Sequence, residues 1–421
     1  MTKKTILITA YAVNPYKGSE DGSGWNFIRE AAVNNNVIAV TRVNNGPHIK
    51  RFLKEDNSFP HENLNMLYFD LPYWMRFWKR KSRGALLYFY LWQLFLPKFI
   101  KKQHLHFDLV HNLNFHNDWV PSFLYRLHKP FVWGPIEHHP PIPKQYITAE
   151  YKYKTFIIDM ITTFTKNVLR RYNPAMRTAL KKADLIIAGH QGVIKKLPVT
   201  VKRIEKMSLV GTSLPEDYQS KKQIGKFNVI SVGRFVPLKG FDITIKSFSL
   251  FYNSLFEEEK SNVSLKLVGK GPLLPKLKKM ITDLDIEDAT EIIPWVSQNE
   301  LKNIYKSSDV FLFPSHEGAG MVVAEAQAYG IPVICFDNYG PGELVTKHSA
   351  LVVAHQDYFT TINKFSEHLE TLFRDDVKLE KMSNAAIENV KQNYLWKQKG
   401  MKINWYYSEV LESYDKTYKG N

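Results

Sequence analysis

The sequence predicts an α/β protein composed of two doubly wound parallel-sheet domains, and three observations support that fold class. The 421 residues exceed what one compact core usually contains. Short apolar runs alternate with helix-length segments, which is typical of a mostly parallel sheet covered by helices on both faces. A polar stretch at 211–226 separates two series of such runs, so we expect two sheets rather than one.

The first predicted sheet takes its strands from the N-terminal half of the chain. These strands are Thr5–Ala10, Val37–Thr41, Met66–Phe69, Asp108–His111, Phe131–Trp133 and Asp184–Ala188. The opening residues are basic and then apolar, as in a signal peptide. The apolar run is short, however, and leads directly into the polar residues 14–23, which favours a first strand.

The second predicted sheet follows the polar stretch. Its strands are Asn228–Ser231, Ser264–Val268, Glu291–Ile293, Val310–Phe313, Pro332–Cys335 and Leu351–Val353. We expect the domain boundary near 205–225, with a first domain over 1–205 and a second over 206–395. The last segment, 396–421, contains aromatic and aliphatic positions typical of a packed helix.

Charge and cysteine content limit the possible partners and compartment. The formal net charge of +16 attracts polyanions, which include nucleic acid, anionic lipid and phosphorylated small molecules. The sequence shows no zinc-finger spacing, aromatic RNA-binding signature or basic heptad helix, so nucleic acid is not an expected partner. The single cysteine, Cys335, lies in an apolar run and predicts a buried thiol in a reducing, cytoplasmic setting.

One segment raises the question of membrane contact. The apolar run 85–96 is shorter than the roughly 20 residues that span a bilayer. Aromatic and cationic residues alternate in the preceding 74–83, as they do in segments that lie among lipid headgroups. Two alternatives therefore stay open for 74–100: a peripheral contact with an anionic membrane surface, or a helix packed on the core with a solvated basic end.

The strongest chemical signal is the segment from Glu317 to Glu325. It follows the predicted strand Val310–Phe313 and leads into a predicted helix at 322–329. Such a turn presents unpaired N–H groups and the positive end of the helix dipole to an anion, and its glycines admit a ligand close to the backbone. The binding residues expected at this turn are Gly318, Gly320, Met321, Val322 and Glu325. The alternative is a capping acid followed by a solvated helix acid.

A basic pair, Arg234 and Lys239, follows Gly233 at the end of another predicted strand. Arginine offers a bidentate fork and lysine a compact charge, and both suit phosphate oxygens. The alternative is an ordinary basic turn in a lysine-rich protein. Asp283 and Asp285 suggest a metal site, but we expect them in a solvated loop, with no metal bound.

The first half contains further candidates near predicted strand ends. Gly22 and Gly24 belong to a glycine-rich stretch where a doubly wound sheet places its phosphate loop, or they form a tight turn that enters a helix at Trp25. Further polar candidates in loops after strands are His111, His116, Glu137 and His138. For Glu137 and His138 the alternative is ordinary loop polarity.

Several of these segments resemble motifs of retaining family 4 glycosyltransferases. Glu317–Glu325 resembles the E-x7-E motif, Gly233–Gly240 the G-R-x4-K-G segment, and Gly269–Pro272 the G-x-G-P turn, all in the family's order. Gly18–Trp25 is similar to a GSE-x-G-x-GW segment of a bacterial subgroup, and 133–135 to its WGP segment. The resemblance implies two Rossmann-like domains facing across a cleft, in the glycosyltransferase B-type fold, with the C-terminal helix crossing back to the first domain.

The resemblance also implies roles for individual residues. Glu317 would position the sugar hydroxyls, Arg234 and Lys239 would stabilise the departing diphosphate, and Glu325 would hold the ribose. Glycines 22, 24, 233 and 269 would lie near the donor, as would Val296 beside the nucleotide base. His116, in preference to His111, would contact the donor sugar, and Glu137 and His138 would face the acceptor.

The implied reaction is retaining transfer of a hexosyl group from a UDP- or GDP-sugar to a glycan or lipid-linked acceptor. We expect a place in bacterial surface polysaccharide or cell-envelope glycan synthesis, without a metal or a further cofactor. Two other functions remain possible at this point: a nucleotide-sugar epimerase or hydrolase on the same scaffold, and a noncatalytic protein that binds anionic membranes.

Overall fold

The structure is a computed structural model that describes residues 3–56, 60–79, 84–113, 117–147, 153–216, 225–294 and 296–418. The chain forms two units. The first comprises Met1–His138, Ile161–Gly211 and Trp396–Asn421, and the second comprises His139–Met160 and Thr212–Leu395. The segment at 139–160 therefore packs with the second unit, although it lies among residues that we expected in the first domain.

The first unit contains a parallel sheet of seven described strands. They are β1 Thr5–Ala10, β2 Asn36–Thr41, β3 Leu64–Tyr68, β4 Leu109–Leu113, β5 Phe131–Ile136, β6 Leu185–Ala188 and β7 Ile204–Lys206, in the order β3-β2-β1-β4-β5-β6-β7. The strand order reverses between β1 and β4. In open α/β sheets, ligands bind beyond the carboxyl ends of the strands at such a reversal.

The helices of the first unit cover both faces of this sheet. They are α1 Ser19–Asn34, α2 Gly46–Glu55, α3 Ala85–Lys101, α4 Tyr153–Tyr172, α5 Pro174–Lys182, α6 Gln191–Lys196 and α14 Trp396–Tyr418, with α4 contributing to both units. Because successive strand residues point to opposite faces, Leu7 packs in one buried cluster while Ile6 and Ile8 pack in another. This double burial explains why the strands are continuous apolar runs.

Strand β7 was missed by the sequence interpretation. Its residues Ile204, Glu205 and Lys206 pair with β6 at the edge of the sheet, and none of them is fully buried. A three-residue edge strand with two charged side chains lacks the apolar run that marks the other strands.

The glycine-rich stretch after β1 is helical, so the expected loop or turn up to Trp25 was wrong. Helix α1 begins at Ser19, with the acidic residues Glu20 and Asp21 in its first turn, where the helix dipole favours them. A Cβ at Gly22 would lie 2.2 Å from the Lys17 carbonyl oxygen. The absence of a side chain at Gly22 therefore allows a close backbone contact at the start of α1. That Gly22 and Gly24 contact the donor stays a prediction.

The segment at 74–100 contains a helix packed on the core, and the residues at the start of the segment are exposed. Helix α3 buries Tyr88, Phe89 and Trp92 in the core of the first unit. This part of the segment therefore follows the alternative of a helix packed on the core. Before it, Tyr73 and Trp74 are 75% and 71% exposed. Among the described residues, no helix is both long enough and apolar enough to cross a bilayer.

The second unit contains a parallel sheet of six described strands. They are β8 Phe227–Val232, β9 Val263–Val268, β10 Thr290–Ile293, β11 Val310–Phe313, β12 Val333–Phe336 and β13 Ala350–Val353, in the order β10-β9-β8-β11-β12-β13. Its helices are α7 Phe241–Asn253, α8 Glu257–Lys260, α9 Leu274–Asp283, α10 Gln298–Lys306, α11 Met321–Ala328, α12 Tyr358–Arg374 and α13 Asp376–Asn393. Cys335 is buried in β12, as predicted.

Helix α14 packs against α1 in the first unit and carries a buried lysine. Trp396, Tyr406 and Tyr407 join the cluster formed by α1 and one face of the sheet. The Lys399 side chain lies among them, and its Nζ donates a hydrogen bond to the Ser208 carbonyl oxygen at 2.6 Å. Burial lowers the pKa of Lys399 to about 7 from its ordinary 10.5.

We expect this lysine to make the stability of the first unit pH-dependent. Its pKa is lower in the folded state, so between pH 7 and 10 the unfolded state binds more protons and the free energy of unfolding rises with pH. One such group adds up to about 1.4 kcal/mol per pH unit. Denaturant titrations at pH 7.5 and 9 should show this slope, and Lys399→Met should reduce it. An unchanged slope in the variant would contradict the assignment.

Candidate functional site

The candidate site lies at the carboxyl ends of four adjacent strands of the second unit. In the sheet order, β9, β8, β11 and β12 are neighbours. The loops that follow them begin at Gly269, Gly233, Pro314 and Asp337 respectively. Parallel strands bring all four loops to the same edge, so residues distant in sequence meet there.

Glycines allow the first two of these loops to touch. Gly233 N–H donates to the Val268 carbonyl oxygen at 3.0 Å. A Cβ at Gly269 would lie only 1.8 Å from the Gly233 carbonyl oxygen, and Gly269 has a φ of +154°. The expected glycine turns therefore have a packing role here, and their contact with the donor stays a prediction.

Gly240 holds the basic loop against the loop after β11. It has a φ of +67°, and a Cβ there would lie 2.1 Å from the Pro314 carbonyl oxygen. His316 N–H also donates to the Leu238 carbonyl oxygen at 2.9 Å. These contacts fix the backbone around Lys239 relative to that around Glu317.

Replacing Gly240 with alanine should strongly destabilise the second unit. Gly225 provides a matched control, because its φ is +82° but, apart from its chain neighbours, no atom of the described residues would lie within 4 Å of an added Cβ. Gly225→Ala should cost about 1 kcal/mol for the left-handed backbone alone. Gly240→Ala should cost about 3 kcal/mol or more, since a clash is added. Equal losses in urea denaturation would show that the contact with Pro314 is unimportant.

The structure brings Lys239 and Glu317 together. Lys239 Nζ donates to Glu317 Oε2 at 2.6 Å, and the two side chains are 15% and 17% exposed. Lys239 is the last residue of a short 3₁₀ turn that begins at Pro237. The other oxygen of the carboxylate, Oε1, is buried and has no hydrogen-bond partner among the described residues.

Arg234 is exposed and close enough to act electrostatically on Glu317. Burial raises the pKa of Glu317, while Lys239 and Arg234 oppose that rise. Within the described part of the chain, the Arg234 guanidinium makes no ion pair or hydrogen bond. Its fork is therefore available to an anionic ligand, and Glu317 Oε1 is available to a hydroxyl donor.

Glu325 lies in α11, whose first residue is Met321. The Tyr305 hydroxyl donates to Glu325 Oε2 at 3.4 Å, and burial raises the pKa of Glu325. Gly320 is the residue before the helix, and Val322 lies in its first turn. The amide-rich start of α11 thus follows the turn that carries Glu317, as the strand-turn-helix pattern predicted.

The loop after β12 supports the Glu317 turn, and the sequence interpretation missed it. Asn338 Nδ2 donates to the Ser315 carbonyl oxygen at 2.9 Å, while its Oδ1 accepts from Gly340 N–H at 3.1 Å. A Cβ at Gly340 would lie 1.9 Å from the Glu317 carbonyl oxygen. The signal was present as an Asn-Tyr-Gly-Pro-Gly turn that begins three residues after the predicted strand Pro332–Cys335.

His316 was also missed. Its ring is 3% exposed and stacks on Phe336 at a centroid distance of 4.8 Å, with Tyr146 at the same distance. Burial lowers the pKa of His316 to about 3, so the imidazole is neutral. This packing positions the backbone directly before Glu317.

For three other residues singled out in the sequence, the described part of the chain gives no contact with the Lys239–Glu317 pair. Val296 is partly buried between β10 and the start of α10, and its role beside a nucleotide base stays a prediction. His116 lies outside the described residues. Asp283 is the last residue of α9 and pairs with Lys279 at 2.8 Å, so the loop that we expected there was wrong for Asp283.

His111 lies inside β4 rather than at the end of a strand. Its Nδ1 is 2.7 Å from the Tyr407 hydroxyl, and its Nε2 is 2.7 Å from the Gly134 carbonyl oxygen. The ring thereby links β4 to β5 and α14 in the core of the first unit. Both nitrogens are engaged, which leaves His111 a structural role in this conformation.

Glu137 and His138 follow β5 and are 1% and 5% exposed, so ordinary solvated loop polarity does not describe them. Glu137 Oε2 lies 3.3 Å from His190 Nε2. Its carboxylate also occupies the space beside Gly189, where a Cβ would meet Oε1 at 2.1 Å. Both residues belong to a polar cluster at the carboxyl edge of the first sheet.

Comparison with known proteins finds similar sequences and a similar fold. Residues 216–391, which contain the four loops, match the family described as Glycosyl transferases group 1. A mannosyltransferase from Corynebacterium glutamicum, described as GDP-mannose-dependent and acting on monoacylated alpha-(1-6)-phosphatidylinositol monomannoside, is 26% identical over 271 residues. That match covers 61% of this chain and 62% of the relative.

A second relative is the amylovoran biosynthesis glycosyltransferase AmsK of Erwinia amylovora, which is 28% identical over 124 residues, or 28% of this chain and 29% of the relative. The chain thus matches less than two thirds of the length of either relative. Among solved structures, sucrose-phosphate synthase from Thermosynechococcus elongatus superposes with a TM-score of 0.66 at 16% identity, covering 98% of this chain and 100% of that one.

The predicted fold is confirmed by the two parallel sheets and by this structural similarity. Residues 216–391 match the group 1 glycosyl transferases, and the chain has two Rossmann-like units of the glycosyltransferase B type.

Proposed function

We propose that the protein is a retaining glycosyltransferase that moves a hexosyl group from a UDP- or GDP-sugar to a glycan or lipid-linked acceptor. The observation that carries the proposal is the Lys239–Glu317 pair near Arg234, which forms no ion pair with the described residues, at the carboxyl edge of the second sheet. The names of the two relatives support a role in bacterial surface polysaccharide or cell-envelope glycan synthesis.

The arrangement of charge fits the departure of a nucleoside diphosphate. Breaking the bond between sugar and diphosphate builds negative charge on the leaving oxygen, and fixed cations beside that oxygen lower the barrier. Arg234 would bind phosphate oxygens with its fork, and Lys239 would supply a second charge held in place by Glu317. The start of α11 would add N–H donors and the positive end of its dipole.

The carboxylates would bind the sugars on either side of the diphosphate. Glu317 would accept hydrogen bonds from hydroxyls of the donor hexose through Oε1, and Glu325 would accept them from the ribose. Gly318 and Gly320 would let the diphosphate approach the backbone, and Val296 would lie beside the base. We infer front-face substitution assisted by the leaving group, which retains the anomeric configuration.

We also propose that the reaction needs no metal. Arg234 and Lys239 would neutralise the diphosphate between them. Among the residues that the structure describes, no group of three or more His, Cys, Asp or Glu side chains is arranged to hold an ion. Turnover should persist in chelator. Loss of turnover in chelator, with recovery in magnesium or manganese, would contradict this part of the proposal.

A thermal-shift screen across UDP- and GDP-sugars tests the proposed function. A ligand at about 100 times its Kd should add about 2.7 kcal/mol to the stability of the folded protein. We expect one donor class to stabilise the wild type and to stabilise Arg234→Gln less. No stabilisation by any nucleotide sugar would contradict the proposal. Consumption of the donor without an acceptor would indicate an epimerase or hydrolase instead.

Peripheral membrane contact belongs to the same proposal. In the first unit, Tyr73, Trp74 and Phe77 are exposed beside Arg76, an arrangement that suits a lipid headgroup region. Helix α4 presents a second exposed apolar row. Its members in the first unit are Ile161, Phe164, Val168 and Tyr172, which are 56%, 69%, 38% and 66% exposed.

The net charge of +16 would favour anionic lipid over neutral lipid. Co-sedimentation should therefore be stronger with phosphatidylglycerol-containing vesicles than with phosphatidylcholine vesicles, and it should weaken in Trp74→Ser. Equal recovery with both vesicle types would remove membrane contact from the proposal.

A further inference from the structure

The first unit contains a second polar cluster at the carboxyl edge of its sheet. Asp118 follows β4, His138 follows β5, and Lys196 ends the helix after β6. Arg170 reaches the same place from α4. All four residues belong to the first unit, whereas Lys239 and Glu317 belong to the second. We call these four residues the His138 cluster.

Asp118 organises the His138 cluster by accepting two hydrogen bonds on one oxygen. Its Oδ2 lies 2.9 Å from His138 Nδ1 and 2.8 Å from Arg170 Nη1. Lys196 Nζ lies 2.5 Å from His138 Nε2. Because a carboxylate can only accept, Nδ1 carries the ring proton, and Nε2 then accepts from the Lys196 ammonium.

The charges in the His138 cluster do not balance. Arg170 and Lys196 are cationic, whereas Asp118 supplies the cluster's one carboxylate. The side chains of Asp118 and His138 are each 7% exposed, so this imbalance is poorly screened by water. Although burial alone would raise the pKa of Asp118, His138 and Arg170 hold it below its ordinary value. Asp118 is therefore ionised, and it forms an ion pair with Arg170.

Lys196 is the cation of the cluster that makes no direct ion pair with a described carboxylate; Asp118 acts on it only at longer range. No described carboxylate lies within 4 Å of its Nζ, and among the described residues its hydrogen bond goes to His138 Nε2. Partial burial and the neighbouring Arg170 lower the pKa of Lys196, and Asp118 opposes part of that change. Glu137, the residue before His138, has its Oε2 3.3 Å from His190 Nε2. Lys196 is exposed as a residue, so a ligand can reach the ammonium from solvent.

We propose that the His138 cluster binds a phosphoryl group carried by the acceptor. The inference rests on the proposed function, which requires an acceptor, and it adds that this acceptor is anionic. A phosphate would supply the missing negative charge and accept from the two donors of Lys196 that His138 does not use. It would also accept from Arg170, whose fork has donors beyond those bound to Asp118 and Asn167.

Phosphate can reach such a cluster on a soluble sugar phosphate or on a lipid phosphate. Calorimetry with inorganic phosphate, glucose 6-phosphate and dodecyl phosphate distinguishes these sources, because the three probes share the anion and differ in what it carries. We expect all three to bind. Tighter binding of glucose 6-phosphate would indicate a soluble acceptor, and tighter binding of dodecyl phosphate would indicate a lipid-linked one.

Variants connect this binding to the cluster. Lys196→Gln should weaken phosphate binding at least tenfold, as should Arg170→Gln. Lys182→Gln removes the same charge from an exposed lysine on α5 and should change the affinity less than twofold. Should Arg170→Gln fail to fold, the exposed Lys196 still permits the comparison. Equal affinity in Lys196→Gln and Lys182→Gln would overturn the proposal, as would the absence of phosphate binding to the wild type.

The ring of His138 provides a readout that does not depend on turnover. A phosphate bound to the remaining donors of Lys196 adds negative charge beside the group that donates to Nε2, so the imidazole ¹⁵N resonance of that atom should shift on titration with inorganic phosphate. An unperturbed resonance at saturating phosphate would contradict binding at this place. The thermal-shift screen with nucleotide sugars tests the proposed function separately. Stabilisation by a nucleotide sugar without phosphate binding at the His138 cluster would support the proposed function and contradict this inference.

Discussion

Lys239→Met should lower kcat for glycosyl transfer by about two to three orders of magnitude, equivalent to about 3–4 kcal/mol of transition-state stabilisation. The physical reason is the charge that develops on the diphosphate, which the ammonium would stabilise more in the transition state than in the bound donor. The measurement is the initial rate of nucleoside diphosphate release at saturating donor and acceptor. Lys278→Met, an exposed lysine on α9, is the matched control and should retain normal turnover.

The same variant should change the pH dependence of any remaining activity. Burial raises the pKa of Glu317, and Lys239 is the first of the groups that oppose this rise. Without Lys239, that pKa should rise further, so protonation would remove the carboxylate at a higher pH. The acidic limb of the kcat profile should therefore move towards neutral pH. An unmoved limb, or turnover in Lys239→Met equal to that in Lys278→Met, would contradict the assigned role.

Glu317→Ala should reduce turnover at saturating donor by about a hundredfold, because hydrogen bonds to the hexose hydroxyls would be lost where they orient the anomeric carbon. Glu317→Gln keeps an oxygen acceptor but loses the ion pair with Lys239, so we expect an intermediate rate. Glu291→Ala, an exposed glutamate in β10, serves as the control. Near-normal kcat in Glu317→Ala, with only KM raised, would show that Glu317 contributes uniform binding rather than catalysis.

The sheets were predictable because their strands are buried on both faces. Residues such as Val310–Phe313 form continuous apolar runs, and the order in which those runs alternate with helices predicts parallel pairing. Strand β7 was not predicted because a short edge strand with two charged residues lacks a continuous apolar run. The start of α1 was predicted too late because glycines in its first turns are typical of a loop. Gly22 is needed there because the Lys17 backbone lies too close for a side chain.

The candidate site was partly predictable for a different reason. Arg234, Lys239 and Glu317 lie beside glycine turns at strand ends, so local spacing and a family resemblance together marked them. Asn338 was missed because its role is to hold a neighbouring loop through Ser315, a contact that depends on the order of strands in the sheet. The meeting of Arg170 and Lys196 at His138 likewise depends on tertiary structure.

The proposed function requires the loops of the second unit to bind a nucleoside diphosphate through Arg234. The most direct test is the Kd of UDP, GDP and the corresponding nucleosides, measured by calorimetry for the wild type and Arg234→Gln. We expect the substitution to weaken binding of the preferred diphosphate at least tenfold, or about 1.4 kcal/mol, while the affinity for the nucleoside stays the same. An unchanged diphosphate affinity in Arg234→Gln would contradict the proposed role of Arg234.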